Sequence, residues 1–424
     1  MSLQSKCLAY CVILCSAYRL CPAEDAAAVW SESQMIDRFL AQSPLARELR
    51  ARVAVTEAEA RTRTVYANPS VSFSWEGAGY SAYFVEGSQS LPISGRLGYL
   101  RRAVGAAVAA AGLSREGQLW SLRSDLRIAF FRMVAAQERA NALSSRIGEV
   151  EGLVRILRRR EEEGEGSRYD RLRAERELIE LRTDAIMARS LIAAAGAQLA
   201  AFLPEGTQVE RVRGDLRVVS EVPDLENLVR RALRVRGDYQ AEQRDRGRFL
   251  IEEQAARRLR IPEPLVSAGV ERAEVTAGTG ANPFSNVNRN GLAFSVSVPL
   301  PILNSGRYEV ARYRAEQEQA DARIAVLSRQ IRTDVEGALA VLDVRREAQT
   351  AFEREMESAG QELVRITQTA YQEGEIGILE LLDAYRVNGA ASQRRLDLEV
   401  GVKEAFIELE RAVGEEVTAE EVQR

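Results

Sequence analysis

Histidine is absent from the 424-residue chain. That excludes imidazole general bases, Ser-His triads and His-ligated metals in one step. The four cysteines (Cys7, Cys11, Cys15 and Cys21) all precede Pro22. A chain cut after Ala23 therefore has no disulfide, no thiolate metal site and no thiol nucleophile. Lysine is nearly missing, with only Lys6 and Lys403, so arginine carries the positive charge. Aromatics are 6%, little for a large packed core. Beyond the N-terminus no apolar run approaches the ~20 residues that a membrane helix needs. Glycine and proline are too sparse for collagen-like or low-complexity sequence. The net charge of −4 argues against a general nucleic-acid binder. With 46% apolar and 28% charged residues the chain is no disordered tail, and its length suits two or three ordinary domains.

Residues 1–23 have the layout of a secretory signal. Lys6 precedes a short apolar stretch from Cys7 to Ala17, and Cys21-Pro22-Ala23 before Glu24-Asp25 would serve as the cleavage site. The alternative is an apolar helix end that stays attached. Lipid modification requires a small residue just before the modified cysteine, and Leu14 and Leu20 stand in those places.

The chain also contains an internal repeat. Leu153-Val154-Arg155-Ile156 recurs as Leu363-Val364-Arg365-Ile366, and Glu163-Gly164-Glu165 as Glu373-Gly374-Glu375. Leu172, Ala174 and Arg176 recur as Leu382, Ala384 and Arg386, at the same offset of 210. Leu91-Pro92-Ile93 with Gly95-Arg96 matches Leu300-Pro301-Ile302 with Gly306-Arg307, the offset drifting between 209 and 211. We read a first copy over residues 24–214, a linker over 215–223, a second copy over 224–414 and a tail over 415–424.

Each copy has the same order of expected elements. A helical stretch (32–66 and 224–260) precedes two short strand-like segments within 69–93 and 264–302. A very long helix (95–163 and 305–373), a glycine-containing turn and a returning helix (168–202 and 378–414) follow. The fold class is mainly α with a small β part. In Ser70-Val71-Ser72-Phe73-Ser74-Trp75 and Ala293-Phe294-Ser295-Val296-Ser297-Val298, apolar side chains alternate with small ones. A half-buried soluble strand and a barrel strand in a bilayer both read this way. In the first long helix Leu119, Leu122, Leu126, Ala129, Met133, Ala136, Ala140, Leu143, Ile147, Val150, Val154 and Leu157 form a heptad-like seam. In the second, Phe352, Met356, Ala359, Leu363, Ile366 and Ala370 do the same. Both seams are packing stripes.

Together these features resemble the TolC-like outer-membrane factor (outer membrane efflux protein) family. The duplication, the Leu-Pro-Ile strand-to-helix junctions and the turns at Gly164 and Gly374 carry the resemblance. So does the stretch Tyr371-Gln372-Glu373-Gly374-Glu375-Ile376-Gly377-Ile378-Leu379-Glu380-Leu381-Leu382-Asp383-Ala384. Pro299-Leu300-Pro301-Ile302 with Gly306-Arg307 is most similar to the cobalt-zinc-cadmium heavy-metal efflux branch. The resemblance implies a homotrimer in which each protomer lends four strands to a 12-stranded β-barrel in outer-membrane lipid. The helices then form a long periplasmic coiled-coil α-barrel. It also implies a passive export conduit working with a periplasmic adaptor (membrane fusion) protein and an inner-membrane efflux pump of the resistance-nodulation-division type. No catalytic activity, cofactor, metal centre or nucleic acid is implied.

Carried over residue by residue, the resemblance places Gly164, Glu165, Gly374 and Glu375 at the adaptor-docking tips. Glu380 and Asp383, three apart on one helix face, fall at the pore constriction. Asp170 and Tyr371 fall at the gate. The family's best-studied gate has an arginine two residues after the tip glycine; Ile376 stands there in this chain, leaving Arg168 as a substitute. Plain readings stay open for each: turn glycines, a solvated helix face, and Tyr371 in a seam with Asp170 capping the returning helix. Two other functions compete. A periplasmic coiled-coil scaffold or adaptor explains the helices but not the paired strands. An enzyme would have to work through carboxylates that fall mostly on solvated helix faces.

Overall fold

The computed structural model describes residues 29–77, 81–218, 221–279 and 282–417. The expected signal segment 1–23 and the tail beyond Val417 lie outside the described residues. In chain order the elements are β1 (Val29–Ser31), α1 (Glu32–Gln42), α2 (Pro44–Thr62), β2 (Ser70–Gly77), β3 (Ser81–Ser90), α3 (Arg96–Glu162) and α4 (Arg168–Ala200). Then follow β4 (Arg211–Arg213), α5 (Leu225–Val235), α6 (Gly237–Arg257), β5 (Leu265–Thr279), β6 (Asn282–Ser297), α7 (Arg307–Gln372) and α8 (Ile378–Val413). Apart from the small β1 and β4, the order helix-helix-strand-strand-helix-helix occurs twice.

The helical stretches expected as single pieces ahead of the strands are each broken. Ser43 ends α1 and its hydroxyl accepts from the Leu45 N–H, while Pro44 opens α2. Proline has no N–H to continue α1, yet its fixed φ suits a first helical turn. The second break falls between α5 and α6 at Arg236. Gly237 there passes α3 so closely that a Cβ would lie 2.2 Å from the Leu113 carbonyl oxygen and 2.7 Å from the Gly117 nitrogen. A straight helix through Arg236 with a side chain at 237 could not make that crossing.

The strands form one antiparallel sheet of order β2-β3-β5-β6. The second hairpin is not short: β5 and β6 have 15 and 16 residues against 8 and 10 in β2 and β3. The parallel β1–β4 pair was not legible in the sequence. Gln137 of α3 closes its edge, donating to the Val212 carbonyl at 3.1 Å and accepting from the Val212 N–H at 3.2 Å.

α3 has 67 residues and α7 has 66. At ~1.5 Å per residue each is about 100 Å long, so it must find partners over its whole length. Gly95 and Gly306 turn the chain from sheet into helix with φ of 72° and 75°, a region that only glycine adopts at little cost. Around α3, Met35 and Phe39 of α1 pack with Leu126, Phe130, Phe131 and Met133, and with Leu199 of α4. Around α7, Leu228 and Ala232 of α5 pack with Ile331, Val335 and Leu342, and with Phe406 and Leu409 of α8. Between these cores Arg127 bridges Glu32 of α1 at 2.5 Å and Glu410 of α8 at 2.5 Å. Burial pushes the Glu410 carboxyl above its usual range even with Arg127 against it. That is the expected balance for a desolvated ion pair, whose attraction only partly offsets the lost hydration.

The first seam is buried at Leu126, Ala129, Met133, Val150, Val154 and Leu157. The second is not: Leu363 and Ile366 are exposed, and Thr367 is the buried residue at that level. α7 is an outer helix of the four, and Leu363 and Ile366 lie on a side of it that stays open. Among the described residues no helix is long and apolar enough to cross a membrane.

Candidate functional site

Two regions carry chemistry: the sheet and the paired hairpin tips. In the sheet, register places Val71, Gly87, Ala268 and Phe294 in one row and Phe73, Val85, Val270 and Leu292 in the next. These apolar side chains share one face and are open: Phe73 is 69% exposed and Phe294 is 77%. On the other face Ser70, Ser88, Ser267 and Ser295 form a row. Their hydroxyls pair at 2.7 Å between Ser70 and Ser88 and at 3.0 Å between Ser267 and Ser295. A sheet with an exposed apolar face and a hydroxyl face reverses a water-soluble fold, in which the apolar face is the covered one. The outer edges of β2 and β6 have no partner strand among the described residues.

The tips repeat one backbone design. Glu163 donates to the Arg159 carbonyl at 2.9 Å and Glu165 to the Arg160 carbonyl at 2.8 Å. Glu373 and Glu375 donate to Thr369 and Ala370 at 3.0 and 2.9 Å. Gly164 and Gly374 sit at the left-handed position with φ of 78° and 79°. This is the glycine-terminated helix end, in which the reversed chain satisfies the last free carbonyls. Glu165 and Glu375 are exposed beside them.

Asp170 and Tyr371 come together. The Tyr371 hydroxyl, at the end of α7, donates to Asp170 Oδ2 in the first turn of α4 at 3.2 Å. Burial, then the Asp170 charge, pushes the Tyr371 phenol up to about 12, so it stays a proton donor across the physiological range. Asp170 is not the cap of α4: the Ser167 hydroxyl takes that place, accepting from the Tyr169 N–H at 3.2 Å. Tyr371 does pack on the tip core, where Leu157, Ala174 and Leu178 of the first hairpin meet Ile378, Leu381 and Leu382 of the second. Packing and hydrogen bonding are therefore both present. Glu380 and Asp383 are exposed on the first turns of α8, and neither forms an ion pair among the described residues. Arg168 is exposed.

Sequence reasoning missed the residues that do cross or brace the tips. Arg386 of α8 reaches Glu177 and Glu180 of α4. Arg171 ties Glu161 to Glu175 at 2.5 and 2.7 Å, and Arg158 adds to Glu175 at 2.9 Å. Only the Arg171–Glu175 spacing of four was a readable signal.

Four long helices in two adjacent hairpins, crowned by a two-faced sheet with open edges, are a fold shared with solved outer-membrane channel structures. The fold is similar to that of CusC, described in terms of transmembrane channel formation, with a TM-score of 0.70, 18% identity, and 91% of this chain and 92% of that one covered. It is similar to the Neisseria gonorrhoeae MtrE outer membrane channel in its open state, with a TM-score of 0.67, 20% identity and coverage of 91% and 89%. The Campylobacter jejuni CmeC outer membrane channel gives 0.67, 15% identity and coverage of 92% and 87%. No curated protein sequence matches the chain. Residues 228–415 match the outer membrane efflux protein family.

Proposed function

We propose that this protein is the outer-membrane channel subunit of a tripartite efflux system, a passive conduit served by a periplasmic adaptor and an inner-membrane pump. The two-faced sheet carries this reading. In lipid every backbone polar group must be paired, so a four-stranded sheet with two open edges is unstable there alone. Three copies supply twelve strands, close both edges, turn the apolar rows to lipid and the serines to a lumen. The exposed stripe of Leu172, Ile179 and Ile186 on α4, and Leu363 and Ile366 on α7, are the apolar faces that such a trimer would cover.

In this reading the chain is a duplication, copies 24–214 and 224–414, and the matched turn bonding at Gly164 and Gly374 supports it. Residues 1–23 are the export signal. The tip residues Gly164, Glu165, Gly374 and Glu375 meet the adaptor, Asp170 and Tyr371 belong to the gate, and Glu380 and Asp383 line the constriction. A pump of the resistance-nodulation-division type and the heavy-metal branch suit the strand-to-helix junction at Pro299–Arg307. The protein acts without catalysis or a cofactor.

The test is fractionation followed by conductance. We expect a heat-modifiable trimer in outer-membrane fractions that forms cation-preferring channels in planar bilayers. The preference should fall in the Glu380→Gln, Asp383→Asn double variant, because a ring of carboxylates focuses a cation-attracting field. A protein that stays in the periplasmic fraction and conducts nothing would be a scaffold instead.

A further inference from the structure

Where the sheet ends and the long helices begin, the chain carries a collar of exposed aliphatic and basic side chains. Ile93 ahead of α3, and Leu300, Ile302 and Leu303 ahead of α7, are 65–97% exposed. They extend the open apolar surface past the last strand residues, Ser90 and Ser297. Beyond them arginine and tyrosine take over. Arg101 and Arg102 stand in the second turn of α3, Arg258 follows the last residue of α6, and Arg307 opens α7. Each guanidinium lies against a tyrosine ring. Arg102 is 4.4 Å and Arg258 is 5.5 Å from the centroid of Tyr99, while Arg101 is 5.5 Å from that of Tyr66 and Arg307 is 4.7 Å from that of Tyr308. All four arginines are exposed, and none forms an ion pair among the described residues. Neighbouring arginines do: Arg63 meets Glu252 at 2.7 Å, and Arg257 and Arg314 each meet Glu253 at 2.8 Å. Glu263, between Arg258 and β5, accepts from the Ser94 hydroxyl instead.

We propose that Arg102, Tyr99 and Arg258, flanked by Arg101 and Arg307, bind the phosphate of an anionic phospholipid in the leaflet that faces the periplasm. The proposal rests on the channel reading above, which puts the sheet in lipid. Two guanidiniums held on one ring, without a carboxylate partner among the described residues, repel each other and leave their donor forks open. A phosphodiester is the counter-ion that fits such a fork, accepting two parallel N–H bonds from one guanidinium. The tyrosines suit the same depth, because an apolar ring with a polar tip settles between acyl chains and headgroups. The order along the molecule agrees as well. Arg102 lies six residues past Arg96, the first residue of α3, which is ~9 Å along the axis. A headgroup layer is about 5–8 Å deep on each side of the hydrocarbon. With Ile93, Leu300, Ile302 and Leu303 in the acyl region, the guanidiniums therefore stand at the phosphates. A zwitterionic headgroup brings its own cation beside the phosphate, which competes with arginine, so the site prefers a lipid with net negative charge.

The experiment titrates the detergent-solubilised protein with phosphatidylglycerol, phosphatidylcholine and inorganic phosphate, and counts bound lipid by native mass spectrometry. Phosphatidylglycerol should bind about tenfold or more tightly than phosphatidylcholine, since each arginine at an anionic lipid surface contributes about fivefold. Arg102→Gln and Arg258→Gln should each weaken phosphatidylglycerol by about that fivefold factor and leave phosphatidylcholine unchanged. The double variant should lose the preference. Arg257→Gln, which removes an arginine already paired with Glu253, should keep it. Equal binding of the two lipids by the wild type overturns the proposal, and so does a preference that survives in the double variant. A loss in Arg257→Gln as large as in Arg258→Gln reduces the effect to net charge and overturns the site. Inorganic phosphate that displaces phosphatidylglycerol at matched concentration makes this a free-anion site and overturns the lipid. If the double variant fails to fold, the single variants decide, and wild-type preference in both overturns the proposal. A protein found only in the periplasmic fraction sinks the channel reading. The titration in detergent needs neither membrane insertion nor conductance, so it still decides whether the collar binds phospholipid.

Discussion

Two turns of nearly the same backbone close the two long hairpins, and different chemistry holds them. At the first tip, residues 158, 161, 171 and 175 are Arg, Glu, Arg and Glu, joined in one ionic network with separations of 2.5–2.9 Å. At the second tip, 210 residues later, the same places hold Gln368, Tyr371, Leu381 and Tyr385. There Gln368 donates to the Tyr385 hydroxyl at 2.5 Å, Leu381 is buried, and Tyr371 spends its hydroxyl on Asp170 of the other hairpin. The glycine and the last free carbonyls decide how each turn closes. The side chains decide what it depends on. The first tip satisfies itself, whereas the second leans on the first through Tyr371, Arg386 and an apolar contact.

The largest test of that contrast replaces one matched position in each tip. Leu381→Ala empties a site that is 2% exposed, and such core truncations cost about 2–5 kcal/mol. Arg171→Ala at the equivalent place removes a network of surface charges and should cost far less, because exposed pairs are screened by water and salt. Denaturant melts of the detergent-solubilised trimer measure both. Equal losses would mean that the first tip has an ionic core and that the contrast is wrong.

A second comparison asks whether the two turns are as alike as they look. Gly164 and Gly374 both have positive φ, and no atom lies within 4 Å of a Cβ built at either. Alanine there meets no clash, only left-handed strain of about 1 kcal/mol. Gly164→Ala and Gly374→Ala should therefore lower stability by the same amount. Bulkier Gly164→Val and Gly374→Val should abolish export while trimers remain in the membrane, if the tips dock the adaptor. Loss of the trimer would assign these glycines to folding.

Much of this architecture was legible because it rests on local rules. The serine-alternating strands and the long hairpins follow from period and spacing alone, as does the first seam. The break at Arg236 was not legible. It depends on Gly237 meeting Gly117 of α3, a contact between residues far apart in the chain. The second seam was misread for a related reason: Leu363 and Ile366 keep the heptad spacing, but spacing does not say whether the partner helix belongs to the same chain. At the tips, Asp170 and Tyr371 came from family resemblance, and their 3.2 Å contact is visible only in the fold. The Arg386–Glu177 pair had no sequence signal, since its members are 209 residues apart.

A smaller effect is expected from Tyr371→Phe, which keeps the ring in the tip core and removes only the hydroxyl. The loss should be about 1 kcal/mol in favour of the open mouth, seen as a leakier channel with unchanged melting. The pH dependence has a definite sign. The folded phenol, pushed from 10.0 up to about 12, holds its proton more tightly than the unfolded one. Its contribution is therefore complete below pH 10 and is lost as pH rises towards 12. Wild-type channels should become leakier over that window, with the Tyr371→Phe variant showing less of the change. An equal response in both would place the alkaline effect elsewhere.

The smallest effect should separate the tips by their response to salt and acid. Hydrogen bonds from Arg158 and then Arg171 hold the Glu175 carboxyl below its usual range. A depressed carboxyl contributes stability above its unfolded value of 4.5 and loses it as pH falls through the lower folded value. Tip one should therefore loosen as the solution is acidified from pH 5 downwards. It should also loosen when salt is raised from 0.1 M to 1 M, which shortens the screening length from about 10 Å to about 3 Å. Amide exchange over residues 158–175 should quicken under both treatments. Exchange over 368–385 should change less with salt, because Leu381 and the Gln368–Tyr385 hydrogen bond are uncharged. Tips that respond alike to salt would show that the ionic network at Arg171 contributes nothing measurable to closing the first turn.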